Sequence, residues 1–566
     1  MLSLLLILLN ICMGISPNYK PVSTDFKIDP PLHRTLYLSG NFGELRNNHF
    51  HSGLDIKAQS GTPVYAVEDG FVSRISVSPY GYGLAVYIDH PRIGVTTVYG
   101  HLDRFAPFID DIVKMRQYAQ ESFSVNFFLK KDEIKVRKGQ VIAYSGNTGS
   151  SGGPHLHFEI RETESEYLLD PMPFLKTYLK DTRPPQIRSI AVYPIAGIVN
   201  NGYVRKDFSV IRQKNGIVTL SSPVTAWGKI VLGVKAYDYM NETSNIYGVY
   251  SIRLFVDDKI VYSSAIERFS FDKSRAVNSF IDYEDWIKRR SFIMRSYVAI
   301  GNYLPVYKDD FVGHDHHVQV EQGVITIDEE RVYKIRYELR DRHGNLTICT
   351  FSINGKKKNI LMDNPSDNAC VYNQNNFIDK HGVSLFIPKG ALYENIQLKC
   401  FQNSDNSYVV GQECVPLHLY CNLRIKIPSD TLNNKKQYYL ARVFGNKEIP
   451  YTGTYMNGYL EVKIRELGTF VVKSDTVNPV ITPMSPAQWG NTGKIRIRIG
   501  DKHTGVESYR GEIDGKFALL EMDGKTAILS CKLDPVRVKR NKKHHFRLTV
   551  TDRCGNRAVY ENSFYW

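Results

Sequence analysis

Three short stretches bring imidazoles and carboxylates together at spacings that suit metal chemistry. In HSGLD, His51 and Asp55 lie four apart around Gly53. Ser52 and Gly53 argue for a tight bend, which sets the two side chains together at a sheet edge. In SSGGPHLHFEIR, residues 150–161, a period of two puts His155, His157 and Glu159 on one face of a strand and Leu156, Phe158 and Ile160 on the other. The apolar trio faces a core, so the histidines project together from a rigid strand, one able to hold metal and the other to reach a metal-bound water. In VYGHLD, His101 ends the strand-like VTTVY, and alternation groups it with Tyr99 rather than with Gly100. Taken singly, each stretch also fits solvated histidines on an ordinary surface.

Together they supply two neutral histidine ligands, one carboxylate and two spare histidines. Zinc held by three protein ligands keeps an open position for water and acts as a Lewis acid that lowers the water's pKa to about 7. A spare imidazole can accept the proton or stabilise an oxyanion near neutral pH.

The elements that position these residues are mainly strands. Val, Ile, Tyr and Phe alternate with polar residues and turn signals recur, while heptads are missing. A length of 566 residues predicts several domains at about 150 residues each. The net charge of +14 favours anionic surroundings, but no zinc-finger, RNA-recognition or basic heptad signature accompanies it, so an anionic cell envelope is preferred to nucleic acid.

MLSLLLILLNICMGIS, residues 1–16, reads as a secretory signal peptide, too short for a span of about 20 residues. Ile11 before Cys12 disfavours lipidation, and no later segment is read as membrane-spanning. Cys349, Cys370, Cys400, Cys414, Cys421, Cys531 and Cys554 form no C-x-x-C pair; export would permit disulfides, above all between 370 and 421.

The C-terminal part contains a repeat. GVYSIRLFVDDK from Gly248 aligns with GVESYRGEIDGK from Gly505, and LRDRHGNLT from Leu339 with VTDRCGNRA from Val550. The offsets, 257 and 211, give the first copy about 46 extra residues, including FSFDKSRAVNSFIDYEDWIKRR. Both copies resemble bacterial immunoglobulin-like sandwiches. Between them VSLFIPKGALYENIQL resembles the start of a ZU5-like β-domain. Arg183-Pro184-Pro185 and Asn478-Pro479 mark linkers.

The histidine-bearing stretches resemble, in order, the lysostaphin-like or LytM-type zinc endopeptidases of family M23, over about residues 40–165. H-x-x-x-D, the Tyr-x-His-Leu strand end and G-N-T-G-x-S-x-G-P-H-L-H-F-E-I-R carry the resemblance. It implies one zinc per catalytic domain held by His51, Asp55 and His157, with His155 and His101 catalytic: His155 as base, His101 stabilising the oxyanion or shuttling a proton.

The fold class expected is therefore mainly β: an antiparallel-sheet LytM-type peptidase domain (36–178), followed by an Ig-like sandwich with insertion (184–356), a ZU5-like domain (370–475) and a second Ig-like sandwich (478–566). The resemblance implies an exported endopeptidase of the periplasm or cell envelope that cuts peptide cross-links of peptidoglycan, with the D-alanyl–diaminopimelate bond preferred and the β-modules engaging an envelope partner. The alternatives are a non-hydrolytic scaffold that activates another wall hydrolase, and an envelope-assembly protein led by its β-modules. Residues 104–135 exceed the family's usual link. IDDIVKMRQYAQESF within them predicts an amphipathic helix with Ile109, Ile112, Val113 and Met115 partly on one face, a packed decoration in preference to a lid. GHDHH, residues 313–317, reads as a solvated loop, and His49 as support for His51 or a polar neighbour.

Overall fold

The computed structural model describes residues 26–214, 216–308, 322–360 and 369–566. The leader and GHDHH lie outside these residues. The chain is mainly β.

The first sheet is built from β1 (Leu38–Gly40), β2 (Leu54–Lys57), β3 (Gly70–Val77), β4 (Leu84–His90), β5 (Val95–Phe105), β6 (Val141–Ser145) and β7 (His155–Glu162). Their order across the main path is β1-β2-β7-β5-β4-β3, antiparallel throughout, and β6 pairs with the far half of β5. Leu54, Ile56, Leu156, Phe158 and Ile160 are fully buried on the core side. Burial of each such side chain stabilises the sheet by about 1.5–3 kcal/mol. Because β7 sits between β2 and β5, its polar face is flanked by neighbours rather than open at an edge.

Helix α1 (Pro107–Ala119) lies between β5 and β6 in sequence. Ile109, Val113 and Gln117, at i, i+4 and i+8, form its buried stripe. Met115 stands on the opposite side, 57% exposed, and not on the apolar face expected for it. The strand that follows, Val125–Phe128, extends the sheet beside β3.

The next module is a ten-stranded hydrogen-bonded unit rather than two separate sheets, because Leu346–Gly355 pairs in parallel with both Val218–Leu220 and Val224–Tyr237. Its apolar core is continuous with that of the first sheet. The inserted residues fold into three short helices, Phe271–Ser274, Val277–Phe280 and Tyr283–Arg289. Phe269 and Phe280 pack there on Phe50, and Phe269 also on Phe42. Residues 370–475 form two five-stranded sheets over their own core, and the last module two four-stranded sheets around the buried Trp489.

The aligned repeats occupy matching structures. Each GV…DK stretch is a hairpin with a two-residue turn in the left-handed region, at Asp257-Asp258 (φ 47° and 63°) and Asp514-Gly515 (φ 51° and 73°). Among the described residues the seven cysteines, Cys349 to Cys554, are free thiols, with no disulfide between them. Burial raises the pKa of each. Among the described residues no helix is long and apolar enough to cross a membrane.

Candidate metal centre

Strand register brings the first three residues together. His157 on β7 lies directly opposite Asp55 on β2 and opposite Gly100 on β5. Asp55 is inside a paired strand, and the bend falls just before it, at Gly53. A Cβ on Gly53 would stand 2.3 Å from the Phe158 carbonyl oxygen, so only glycine lets the chain pass β7 closely enough to turn His51 inward.

Asp55 Oδ1 lies 3.0 Å from His51 Nε2 and 2.9 Å from His157 Nδ1, and the two nitrogens lie 3.2 Å apart. Tetrahedral zinc with bonds of about 2.0–2.1 Å has edges of about 3.3 Å, close to this triangle. Carbonyls and carboxylates only accept, which fixes the tautomers. His51 Nδ1 donates to the Asn41 carbonyl at 2.7 Å, and His157 Nε2 to Glu159 Oε1 at 2.9 Å. In neutral rings, as a metal requires, the nitrogens facing each other across 3.2 Å both present lone pairs, which suits a cation between them. Burial disfavours a charge on His157, but Asp55 and Glu159 outweigh it and raise its pKa to about 9.

The two remaining histidines border the triangle. His155 donates from Nδ1 to the Gly153 carbonyl at 2.8 Å. Its buried Nε2 lies 3.2 Å from Asp55 Oδ1 but makes no hydrogen bond. His101 donates from Nδ1 to the Thr148 carbonyl at 2.9 Å, and its ring centroid is 4.8 Å from that of His155 and 5.7 Å from that of His157.

Strict alternation would have placed His101 on the side of Tyr99, which is fully buried. The left-handed φ of 58° at His101 and the irregular register between β4 and β5 turn it to the histidine cluster instead. Burial, and then the charges of His157 and His155, lower its pKa to about 3, which keeps it neutral.

Burial alone would raise the pKa of Asp55. His51, His155 and His157 outweigh it and hold the carboxyl well below the usual range. Its second oxygen lies 3.3 Å from Arg46 Nη2, which is paired in turn with Glu44.

A polar layer behind His157 was not assigned from sequence. Fully buried Glu159 accepts from His157, from the Tyr82 hydroxyl at 2.5 Å, and from Arg161 Nε and Nη2 at 2.8 and 2.6 Å. Period-two spacing already put Glu159 on the histidine face; Tyr82 comes from a distant turn that carries no such signal. His49 is exposed and bonds the Asn47 carbonyl, and His90 is satisfied by Asp69 and Thr97 away from the cluster.

Beside Thr148 a cleft of about 610 Å³ opens between the Asn147–Gly149 loop, α1 and residues 521–525 of the last module. Lys525 Nζ reaches Asn147 Oδ1 at 2.8 Å, Arg510 pairs with Glu121, and Arg537 stacks on Tyr118. The extra segment after β5 and the Asn147–Gly149 loop thus both contact the last module.

Comparison with known proteins bears on the histidine-bearing sheet and on residues 367–475. The model of peptidase family M23 matches residues 49–121 and 121–170, and that of the Zu5-like domain residues 367–475. The DD-carboxypeptidase/endopeptidase Mpg of Neisseria meningitidis serogroup B is 35% identical over 141 residues, 24% of this chain and 26% of that protein. The peptidoglycan DD-endopeptidase ShyB of Vibrio cholerae is 34% identical over 110 residues, 19% of this chain and 20% of that one. The crystallised catalytic domain of lysostaphin from Staphylococcus simulans is 30% identical and covers 25% of this chain and 90% of its own, with a TM-score of 0.19. The chain spans about a quarter of the length of the first of these relatives. Its histidine-bearing sheet is a peptidase family M23 domain, and a Zu5-like domain follows in the same chain.

Proposed function

We propose that this chain is an exported, zinc-dependent endopeptidase that hydrolyses peptide cross-links of bacterial peptidoglycan, with His51, Asp55 and His157 as zinc ligands. The observation that carries the reading is the convergence of two imidazole lone pairs and one carboxylate oxygen at about the edge length of a zinc tetrahedron. The names of the relatives, a DD-carboxypeptidase/endopeptidase and a peptidoglycan DD-endopeptidase, support the substrate class.

Zinc, when bound, supplies a Lewis acid that polarises the scissile carbonyl and acidifies water. The chain's own residues do the rest. His155 presents a buried, unbonded Nε2 beside the triangle, placed to take a proton from the attacking water and return it to the leaving amine. His101, with its Nδ1–H committed to the Thr148 carbonyl, is the residue for the remaining role, stabilising the oxyanion or shuttling a proton. Glu159 holds the tautomer and tilt of His157. The positive net charge assists approach to anionic wall material.

The test is incubation of the mature protein with purified sacculi, with and without chelator, beside His157→Ala. New free amines and muropeptide monomers from the zinc-loaded native protein alone are expected. Intact sacculi across several wall types, with zinc confirmed in the protein, would overturn the reading in favour of a non-hydrolytic scaffold.

A further inference from the structure

The linker that leaves the catalytic domain passes a second cluster of acids. Asp181 in that linker, Asp238 at the end of Val224–Tyr237 and Asp341 at the D-R-H-G-N turn bring one carboxylate oxygen each to within 4.8 Å of one another. All three are buried, at 8%, 4% and 2% exposure. Asp181 Oδ2 and Asp238 Oδ1 are buried with no hydrogen-bond partner.

Protein cations do not resolve this. Arg183 turns its guanidinium to the Met240 carbonyl and the Tyr239 ring, and only its backbone N–H serves Asp181, at Oδ1. His343 Nδ1 stands 3.9 Å from Asp181 Oδ2, beyond hydrogen-bond reach. Three mutually repelling carboxylates, two with orphaned oxygens, are costly to bury unless a cation or protons compensate them.

The last module provides a contrast within the chain. Asp475, Asp501 and Asp552 converge at the corresponding positions, after the preceding domain and at the D-R-C-G-N turn. There the Thr504 hydroxyl satisfies Asp475, three backbone N–H groups satisfy Asp501, and Cys554 and Asn556 satisfy Asp552. The turns themselves match: Asn345 and Asn556 each bond the aspartate four residues earlier and the backbone carbonyl of Asp181 or Asp475. One fold thus builds the cluster twice, and only the first copy leaves oxygens without donors.

We propose that Asp181, Asp238 and Asp341 bind a hard divalent cation, Ca²⁺, which fastens the linker to the first β-module. The donors are all oxygen and all anionic, which selects against the softer metals that favour nitrogen and sulfur. Oxygens about 2.4 Å from Ca²⁺ lie up to about 4.8 Å apart, and these three lie within that distance of one another; water completes the shell. The ion ties a strand end and a turn to the chain segment just past Leu179, and so fixes the angle at which the catalytic domain is carried.

The experiment is calorimetric titration of Ca²⁺ into the zinc-loaded full-length chain, beside Asp238→Asn and Asp181→Asn, with melting temperatures in both states. Saturable binding is expected in the native chain and in His157→Ala, with a loss of at least tenfold in each aspartate variant. Asp238→Asn relieves repulsion, so its calcium-free melting temperature should equal or exceed the native value while the rise on adding Ca²⁺ disappears, which separates site loss from misfolding. No Ca²⁺ binding by the native chain up to 10 mM, or undiminished binding by both variants, overturns the proposal.

Discussion

His157 and Glu159, two residues apart on one strand, meet side chain to side chain: the imidazole Nε2 lies 2.9 Å from the carboxylate Oε1. That contact turns the other ring nitrogen toward Asp55 and His51. Glu159→Gln should therefore weaken zinc binding by about 10- to 100-fold while the sheet stays folded. Competition against a chromophoric chelator measures this, and affinity equal to the native protein's would remove Glu159 from the site's support.

His51 and His157 should separate from His155. His51→Ala and His157→Ala are expected to lose zinc and activity together, since each deletes a corner of the triangle. His155→Ala should keep zinc and lose activity by about 10²- to 10⁴-fold, the usual worth of a positioned acid–base group. Metal content by mass spectrometry, set beside sacculus turnover, distinguishes them; full activity in His155→Ala would count against its role as base.

Gly53→Ala places a methyl group 2.3 Å from the Phe158 carbonyl oxygen, and backbone, unlike a flexible side chain, has little room to retreat. A loss of about 1–3 kcal/mol is expected from such overpacking, with zinc affinity falling alongside it as His51 shifts. Urea denaturation with unchanged midpoint would show that the turn has more freedom than its packing implies.

Asp170 gives a pH dependence outside the metal centre. Burial raises its pKa to about 6 against the partial relief of Arg342 at 2.9 Å. The folded chain then holds a proton that the unfolded chain has released, so this group's contribution to stability falls as pH rises from about 4 to about 6. Two pH units correspond to about 3 kcal/mol. Asp170→Asn should lack that loss, and its melting temperature relative to the native protein should climb between pH 4.5 and 6.5; a constant difference would contradict the assignment.

Much of the metal triangle was legible because its signals are local. Alternation alone aims His155 and His157 from one face, and a glycine bend beside His51 and Asp55 narrows their approach. His101 was named, but its direction was hidden: alternation sends it toward the core with Tyr99, and only a left-handed residue within an irregular pairing returns it. Tyr82 and Asn41 act through long-range contacts with no spacing to reveal them. The D-R-x-G-N repeat was visible as a turn, while the aspartates that join Asp341 sit about 100 and 160 residues away in sequence, where no periodicity connects them. Met115 was misplaced because a helix face was drawn too wide around Ile109 and Val113.

The aromatic seam of Phe42 and Phe50 against Phe269 and Phe280 has a practical consequence for dissecting this protein. A fragment trimmed to residues 36–178 would carry Phe42 and Phe50 into water and be prone to self-association. The smallest piece that keeps the seam covered runs through the first β-module to about residue 355, and it should melt in a single cooperative step. The unit of folding would then be larger than the histidine-bearing sheet.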